Sequence, residues 1–256
     1  MQESLLLDYP NYNDFILEKM RVVHPPQQIL SELDTIDSKL INNDIIKFIF
    51  VGRDFYRKGG AEIILAFHEL MLEGFVSKEN VHVTLIGDYK RFFNEVFYEE
   101  QDDISFHNKI LNLASSLNIF DLNDALPNNV VLNKIKQSHI GLLPTWRDTY
   151  GYSVLEFQSL GCPVISSNIR ALPEINNSGC GWVFNAGVNN LGEIYILNHN
   201  DKENKRRLII DGIKASVLSI LNDKNQIKEK SHSALHRVKV HHDIDDYISK
   251  INSIMS

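Results

Sequence analysis

The chain has 256 residues, 43% of them hydrophobic and 23% charged, close to the soluble globular average, so a packed core is expected and disorder is set aside. Its net charge of -7 argues against general attraction to nucleic-acid phosphates or anionic lipid, and any anion site has to be local. The two cysteines form no C-x-x-C pair, the N-terminus lacks a signal-like stretch and no run of about 18 apolar residues occurs, so the reading is a soluble, cytoplasmic protein without a transmembrane segment.

Residues 1–44 show no sustained period and carry Pro10, Pro25 and Pro26; they read as a linker or cover. Val22 to His24 would form one short strand there, stopped by the double proline. From Ile45 apolar runs of strand length alternate with stretches of helical length, the pattern of βαβ units and a parallel sheet. Ile46 to Val51 is the first expected strand, and after Gly59 and Gly60 the residues Ile63, Ile64, Phe67, Leu70 and Met71 recur at helical spacing. Val81 to Ile86 reads as a second strand, Ile104 to Leu117 and Val130 to Gln137 as helices, and His139 to Pro144 as a buried strand. A helix from Tyr152 to Leu160 follows, then strands at Pro163 to Ser166 and Gly181 to Phe184. Helices at Glu203 to Asn222, Gln226 to Val238 and Ile244 to Ile254 complete the order. Leu208, Ile209, Ile213, Val217, Ile220 and Leu221 recur at helical spacing and are expected in the core. The expected fold is α/β, a Rossmann-like parallel sheet flanked by helices over 45–240, with a C-terminal helix over 241–256.

In open α/β sheets ligands bind beyond the carboxyl ends of the strands, where loops and helix N-termini converge. That rule selects Gly52 to Gly60, which leave the first strand, and Thr145 to Ser153, which leave the Leu142-Leu143 strand. Both lie at one edge of one sheet and together suit a diphosphate. Arg53 offers a planar fork, Lys58 a point charge, and the amides near Gly151, Tyr152 and Ser153 the end of a helix. The plain alternative is that Arg53, Arg57 and Lys58 are solvated loop charges. Asp148 and Glu156, eight positions apart, could accept hydrogen bonds from sugar hydroxyls, Asp148 deeper in the pocket and Glu156 toward a ribose. Asp148 would serve equally as a cap or turn residue. Glu156 sits among Val154, Leu155 and Phe157, where an ionised carboxylate ordinarily has a specific partner.

The run from Leu142 through Pro144-Thr145-Trp146-Arg147-Asp148-Thr149-Tyr150-Gly151-Tyr152-Ser153 to Glu156, continued by Gly161-Cys162-Pro163 and Leu172-Pro173-Glu174, resembles the family 4 retaining glycosyltransferases. These are the glycosyl transferases group 1 domains of the GT-B fold, and the resemblance spans roughly Lys47 to Phe184. It implies a single GT-B-type C-terminal half that binds a nucleotide-diphosphate sugar and passes the sugar, with retention, to a glycan or lipid-linked acceptor, as in polysaccharide synthesis. By the same resemblance Arg53 and Lys58 hold the donor diphosphate and Glu156 the ribose hydroxyls. Asp148, with the amides of Tyr150, Gly151 and Tyr152, would contact the transferred sugar. Arg53, Lys58 and Asp148 make up the implied catalytic set, while Gly52, Thr149 and Ser153 join the implied substrate contacts. No cofactor and no bound metal are implied.

Asp148 stands where the family has Glu, one methylene shorter. Family members also carry an N-terminal Rossmann domain for the acceptor, which residues 1–44 are too few to supply. The expectation is therefore a separately encoded N-terminal partner or a truncated reading frame, with little or no turnover by the chain alone. Peripheral membrane contact is compatible with this reading; nucleic-acid binding is not.

Other signals carry less. Asp243-Ile-Asp245 spells a metal-binding D-x-D but reads as a helix start, and His232, His236, His241 and His242 lack the neighbouring Glu or Cys of a zinc site. Trp146 is either a stacking platform or a buried aromatic, and Pro173-Glu174 a turn opening a short helix. The loop from Leu126 to Val131 is placed to offer backbone groups to a base. The alternative from another class is a catalytically silent scaffold that keeps the fold and binds a partner protein.

Overall fold

A computed structural model describes residues 9–40 and 44–255. After a 3-10 turn at Pro10–Tyr12, the chain forms α1 (Asn13–Lys19), α2 (Leu33–Leu40), β1 (Ile46–Asp54), α3 (Gly60–Leu72), β2 (Val81–Asp88), α4 (Ile104–Ser116), β3 (Phe120–Asn123) and α5 (Asn128–Gln137). It continues through β4 (Ile140–Leu143), α6 (Tyr152–Ser159), β5 (Val164–Ser167), α7 (Leu172–Ile175), β6 (Gly181–Phe184), α8 (His199–Asn222), α9 (Asn225–His241) and α10 (Ile244–Met255).

Among the described residues the sheet has six strands in the order β3-β2-β1-β4-β5-β6, all parallel. Parallel sheets are covered by helices on both faces. Accordingly β4 and β5 are buried at every position, and β1 carries Phe48, Ile49 and Phe50 without solvent contact. The sequence reverses direction between β1 and β4, where Phe48, Ile49 and Phe50 pair with Ile140, Gly141 and Leu142. That junction is the topological switch point, the place where this class of sheet opens a crevice.

The expected strands and helices from Ile46 onward are present, and β1 runs on to Asp54 with an irregularity in its pairing after Val51. Two expectations are corrected. Val22 to His24 joins no strand of the sheet; the segment is irregular, Val22 is exposed, and the prolines that follow remove ladder donors. Leu208 is exposed, because α8 turns Lys202 and Arg206 inward. Arg206 meets Glu62 of α3 at 3.1 Å, Asp102 at 2.6 Å and Glu203, with its guanidinium over the Phe106 ring, while Lys202 meets Asp102 at 2.9 Å and the Glu100 carbonyl at 2.6 Å. These bonds tie the irregular stretch after β2 to the outer helix layer.

Ahead of the sheet, α2 packs on α9, and Ile36 is buried against Gly161. Both cysteines, Cys162 and Cys180, are buried as free thiols. No helix among the described residues is long and apolar enough to cross a membrane.

Candidate functional site

The two loops singled out in the sequence leave β1 and β4, the strands on either side of the switch point, and they touch. Gly59 has φ 89° and is the N-cap of α3; a side chain there would collide with the Pro144 carbonyl, so this glycine lets the first loop lie against the second. The Trp146 amide donates to the Arg57 carbonyl at 3.0 Å, and the buried Thr145 hydroxyl donates to the Arg147 carbonyl at 2.8 Å. Arg57 returns the contact by donating to the Arg147 carbonyl at 2.8 Å.

Lys58 and Asp148 form an ion pair across the two loops, 90 residues apart in sequence, with both side chains largely shielded from solvent. Asp148 is therefore neither exposed nor a helix cap: the N-cap of α6 is Gly151, which has no side chain to offer. An ammonium has three N-H donors, so pairing with one carboxylate leaves Lys58 capacity for a further anion. Arg57 is engaged by Asp54, which Arg91 also meets at 2.8 Å. Burial raises the Asp54 pKa, but the cations Arg57, Arg91 and Lys58 outweigh it and hold this carboxyl below its ordinary range. Arg53, by contrast, is exposed at the end of β1 and makes no ion pair or side-chain hydrogen bond among the described residues. Gly52 beside it is buried, with the Lys58 side chain packed over it.

From Asp148 the second loop passes exposed Thr149 and half-buried Tyr150 to Gly151, whose φ of 94° makes the turn into α6. A side chain on Gly151 would strike Leu172 of α7, so the turn is also packed from behind. The first amides of a helix have no intrahelical acceptor and carry a partial positive charge. Here those amides belong to Tyr152, exposed, and Ser153, half-buried. One turn further, Glu156 is half-buried. Burial raises its pKa, and no hydrogen bond or ion pair of its carboxylate occurs among the described residues. The partner expected from its apolar neighbours is thus not supplied by the described chain.

The remaining motifs are structural. Asp243 accepts from the Asp246 amide at 2.9 Å and opens α10, His232 pairs with Asp37 at 2.6 Å, and Trp146 is buried against Phe97. In the Leu126 to Val131 stretch the helix α5 already begins at Asn128, and the Val130 and Val131 amides are taken by the Pro127 carbonyl. A cavity of about 420 Å3 lies between α9 and residues 177–180, lined by Cys180, His232, His236, Arg237 and His241 and by no residue of the two strand-end loops. Sequence reasoning missed His24, which reaches the Tyr150 hydroxyl at 3.1 Å, and selected the loop that begins at Thr145 without foreseeing that its hydroxyl pins the crossing. His24 lies in no local pattern that would have marked it.

A family model described as glycosyl transferases group 1 matches residues 32–215. Comparison with curated proteins found no match. Among solved structures the chain is similar to a glycosyltransferase from Rickettsia africae, at 17% identity and TM-score 0.59 over 99% of this chain and 60% of that one. It is also similar to HepE of Anabaena in complex with UDP and glucose, at 12% identity and TM-score 0.61 over 93% and 57%. Sucrose-phosphate synthase of Thermosynechococcus elongatus is similar at 12% identity and TM-score 0.62 over 96% and 56%. The chain thus spans somewhat over half the length of these structures, and at such identities the likeness concerns the fold.

Proposed function

The chain belongs to the glycosyl transferases group 1 family, and on that footing we propose that it is the donor-binding half of a retaining glycosyltransferase, completed by an N-terminal acceptor domain. The observation that carries this reading is the meeting of the two strand-end loops at the switch point through Lys58 and Asp148. Arg53, at the end of the strand whose loop carries Lys58, makes no ion pair or side-chain hydrogen bond among the described residues, and Lys58 keeps spare donors, which supports a shared anion site with the amino end of α6.

In this proposal the diphosphate of a nucleotide sugar takes up Arg53, Lys58 and the Tyr152 and Ser153 amides. Its ribose hydroxyls donate to Glu156, and its sugar lies toward Asp148 and the turn at Gly151. As the bond from the anomeric carbon to the diphosphate breaks, negative charge grows on the leaving oxygens, and cations already fixed there stabilise it without reorganisation. Lys58 is held in place by Asp148 before the ligand arrives. The site uses no metal in this reading, since guanidinium, ammonium and amide dipoles supply the positive charge.

Calorimetric titration of the purified chain with UDP, GDP and ADP tests the proposal. One of them should bind, EDTA should leave the affinity unchanged, and Arg53→Ala or Lys58→Ala should each cost on the order of 2 kcal/mol by removing a charge-assisted hydrogen bond. A chain that gives no heat with any nucleotide is the silent scaffold instead.

A further inference from the structure

Helix α6 is the element on which the donor site depends, since it offers its amino end to the diphosphate and carries Glu156. It is eight residues long, about 12 Å, and too short to hold its own position by helix propensity. Behind it packs α9. Across it runs the irregular segment that precedes the sheet, bonded near both of its ends. At the amino end His24 Nδ1 lies 3.1 Å from the Tyr150 hydroxyl, and at the carboxyl end the Leu30 amide donates to the Ser159 carbonyl at 3.0 Å.

Between those two points the segment is anchored to the end of α9. His242, the C-cap of α9 and 1% exposed, bonds the Pro25 carbonyl through Nδ1 at 2.8 Å, and its own carbonyl accepts from the Gln27 amide at 2.8 Å. The His24 and His242 rings lie 5.5 Å apart. His24 is thus braced from behind, and its free edge is turned to Tyr150. Burial, with the nearby Glu174 carboxylate, pushes the Tyr150 hydroxyl up to about 12, so it keeps its proton, and the direction of its bond with Nδ1 follows the His24 tautomer.

We propose that residues 24–30 are a strap over α6 and that His24 is a positioning residue for the donor site. By holding the Tyr150 hydroxyl it fixes the turn at Gly151, and so the direction in which the first amides of α6 point. The consequence for nucleotide binding rests on the assignment of that helix end to the diphosphate; the positional role does not.

The test uses the whole chain and two readouts, UDP affinity by calorimetry and hydrogen exchange of the amides of residues 150–153. His24→Ala and Tyr150→Phe should each weaken UDP about 3- to 10-fold, the worth of one hydrogen bond, and should speed exchange at those amides. The double variant should be no worse than the weaker-binding single. His24→Asn, which places an amide able to donate or accept near the position of Nδ1, should recover most of the loss. Tyr150→Phe removes the same bond without opening a cavity, so a folding defect in His24→Ala leaves the test standing. Unchanged exchange in both single variants, losses that simply add in the double, or a lowered Tm with affinity and exchange intact would overturn the role. If the wild-type chain binds none of the nucleotides, the donor-site reading fails, and exchange at residues 150–153 alone decides the strap.

Discussion

Glu156 is costly where it stands. Its carboxylate is half-buried with no ion pair among the described residues, and burial raises its pKa above the ordinary 4.5. A carboxyl that is harder to ionise in the folded chain than in the unfolded one makes folding progressively less favourable as the pH rises from its unfolded pKa, and the full cost is reached above its folded pKa. Glu156→Gln is therefore expected to raise the Tm at pH 7. That gain should shrink as the pH falls through the raised pKa and vanish near 4.5, which melting curves across pH would follow. The same variant should weaken nucleotide binding roughly tenfold, since an ionised acceptor of ribose hydroxyls becomes a neutral one. Stability gained together with affinity lost is the mark of a residue kept for a ligand. The roles of Arg53 and Glu156 are proposals, but at this scale the meeting of Lys58 with Asp148 was within reach of the sequence, because both lie in segments that leave strand ends and strand ends are readable from apolar runs. The link from His24 to Tyr150 was not, because nothing local in either residue records a neighbour 126 positions away.

Among the elements, α8 shows where periodicity misleads. Of the aliphatic stripe expected in the core, Ile209, Ile213, Val217 and Ile220 are buried, but Leu208 is exposed, and in the turns before it Lys202 and Arg206 are buried instead. Burial of a cation is permitted only by partners, and those come from α3 and from the stretch after β2, which no reading of α8 alone contains. Arg206→Ala is expected to cost roughly 3 to 5 kcal/mol in denaturant unfolding, because Glu62 and Asp102 lose their shared counter-ion. Burial already pushes Glu62 above its ordinary range, with Arg206 opposing, so the orphaned carboxyl should take up a proton and soften part of that loss. Pairing Glu62→Leu with Arg206→Leu should cost less than the two changes summed. Strand β3 was missed for a related reason. Phe-Asp-Leu-Asn at the sheet edge is half-buried throughout and presents no apolar run, so only its pairing with β2 reveals it.

At the level of the whole chain, the residues ahead of the sheet pack on the sheet-bearing part. Ile36 is 1% exposed and seats against Gly161, at the turn between α6 and β5. Ile36→Ala should lower stability by about 2 to 5 kcal/mol, the usual cost of emptying a buried aliphatic site, whereas a loosely attached linker would show no change on chemical unfolding. That packing was invisible in the sequence because residues 1–44 lack a period: the described part, residues 9–40, is held at separate points by helix α2, by the strap and by single hydrogen bonds. The parallel α/β character and every strand but β3, in contrast, followed from alternating apolar runs of strand and helix length, whereas the strand order is seen only in the pairing. The two native thiols offer a practical handle. Cys162 is fully buried and Cys180 is 3% exposed, so a bulky maleimide should reach either one only when the molecule opens. A cysteine introduced at Tyr152, which is 63% exposed, should then react alone in the native state and carry a fluorophore to the rim of the crevice, without first stripping the chain of its own sulfur.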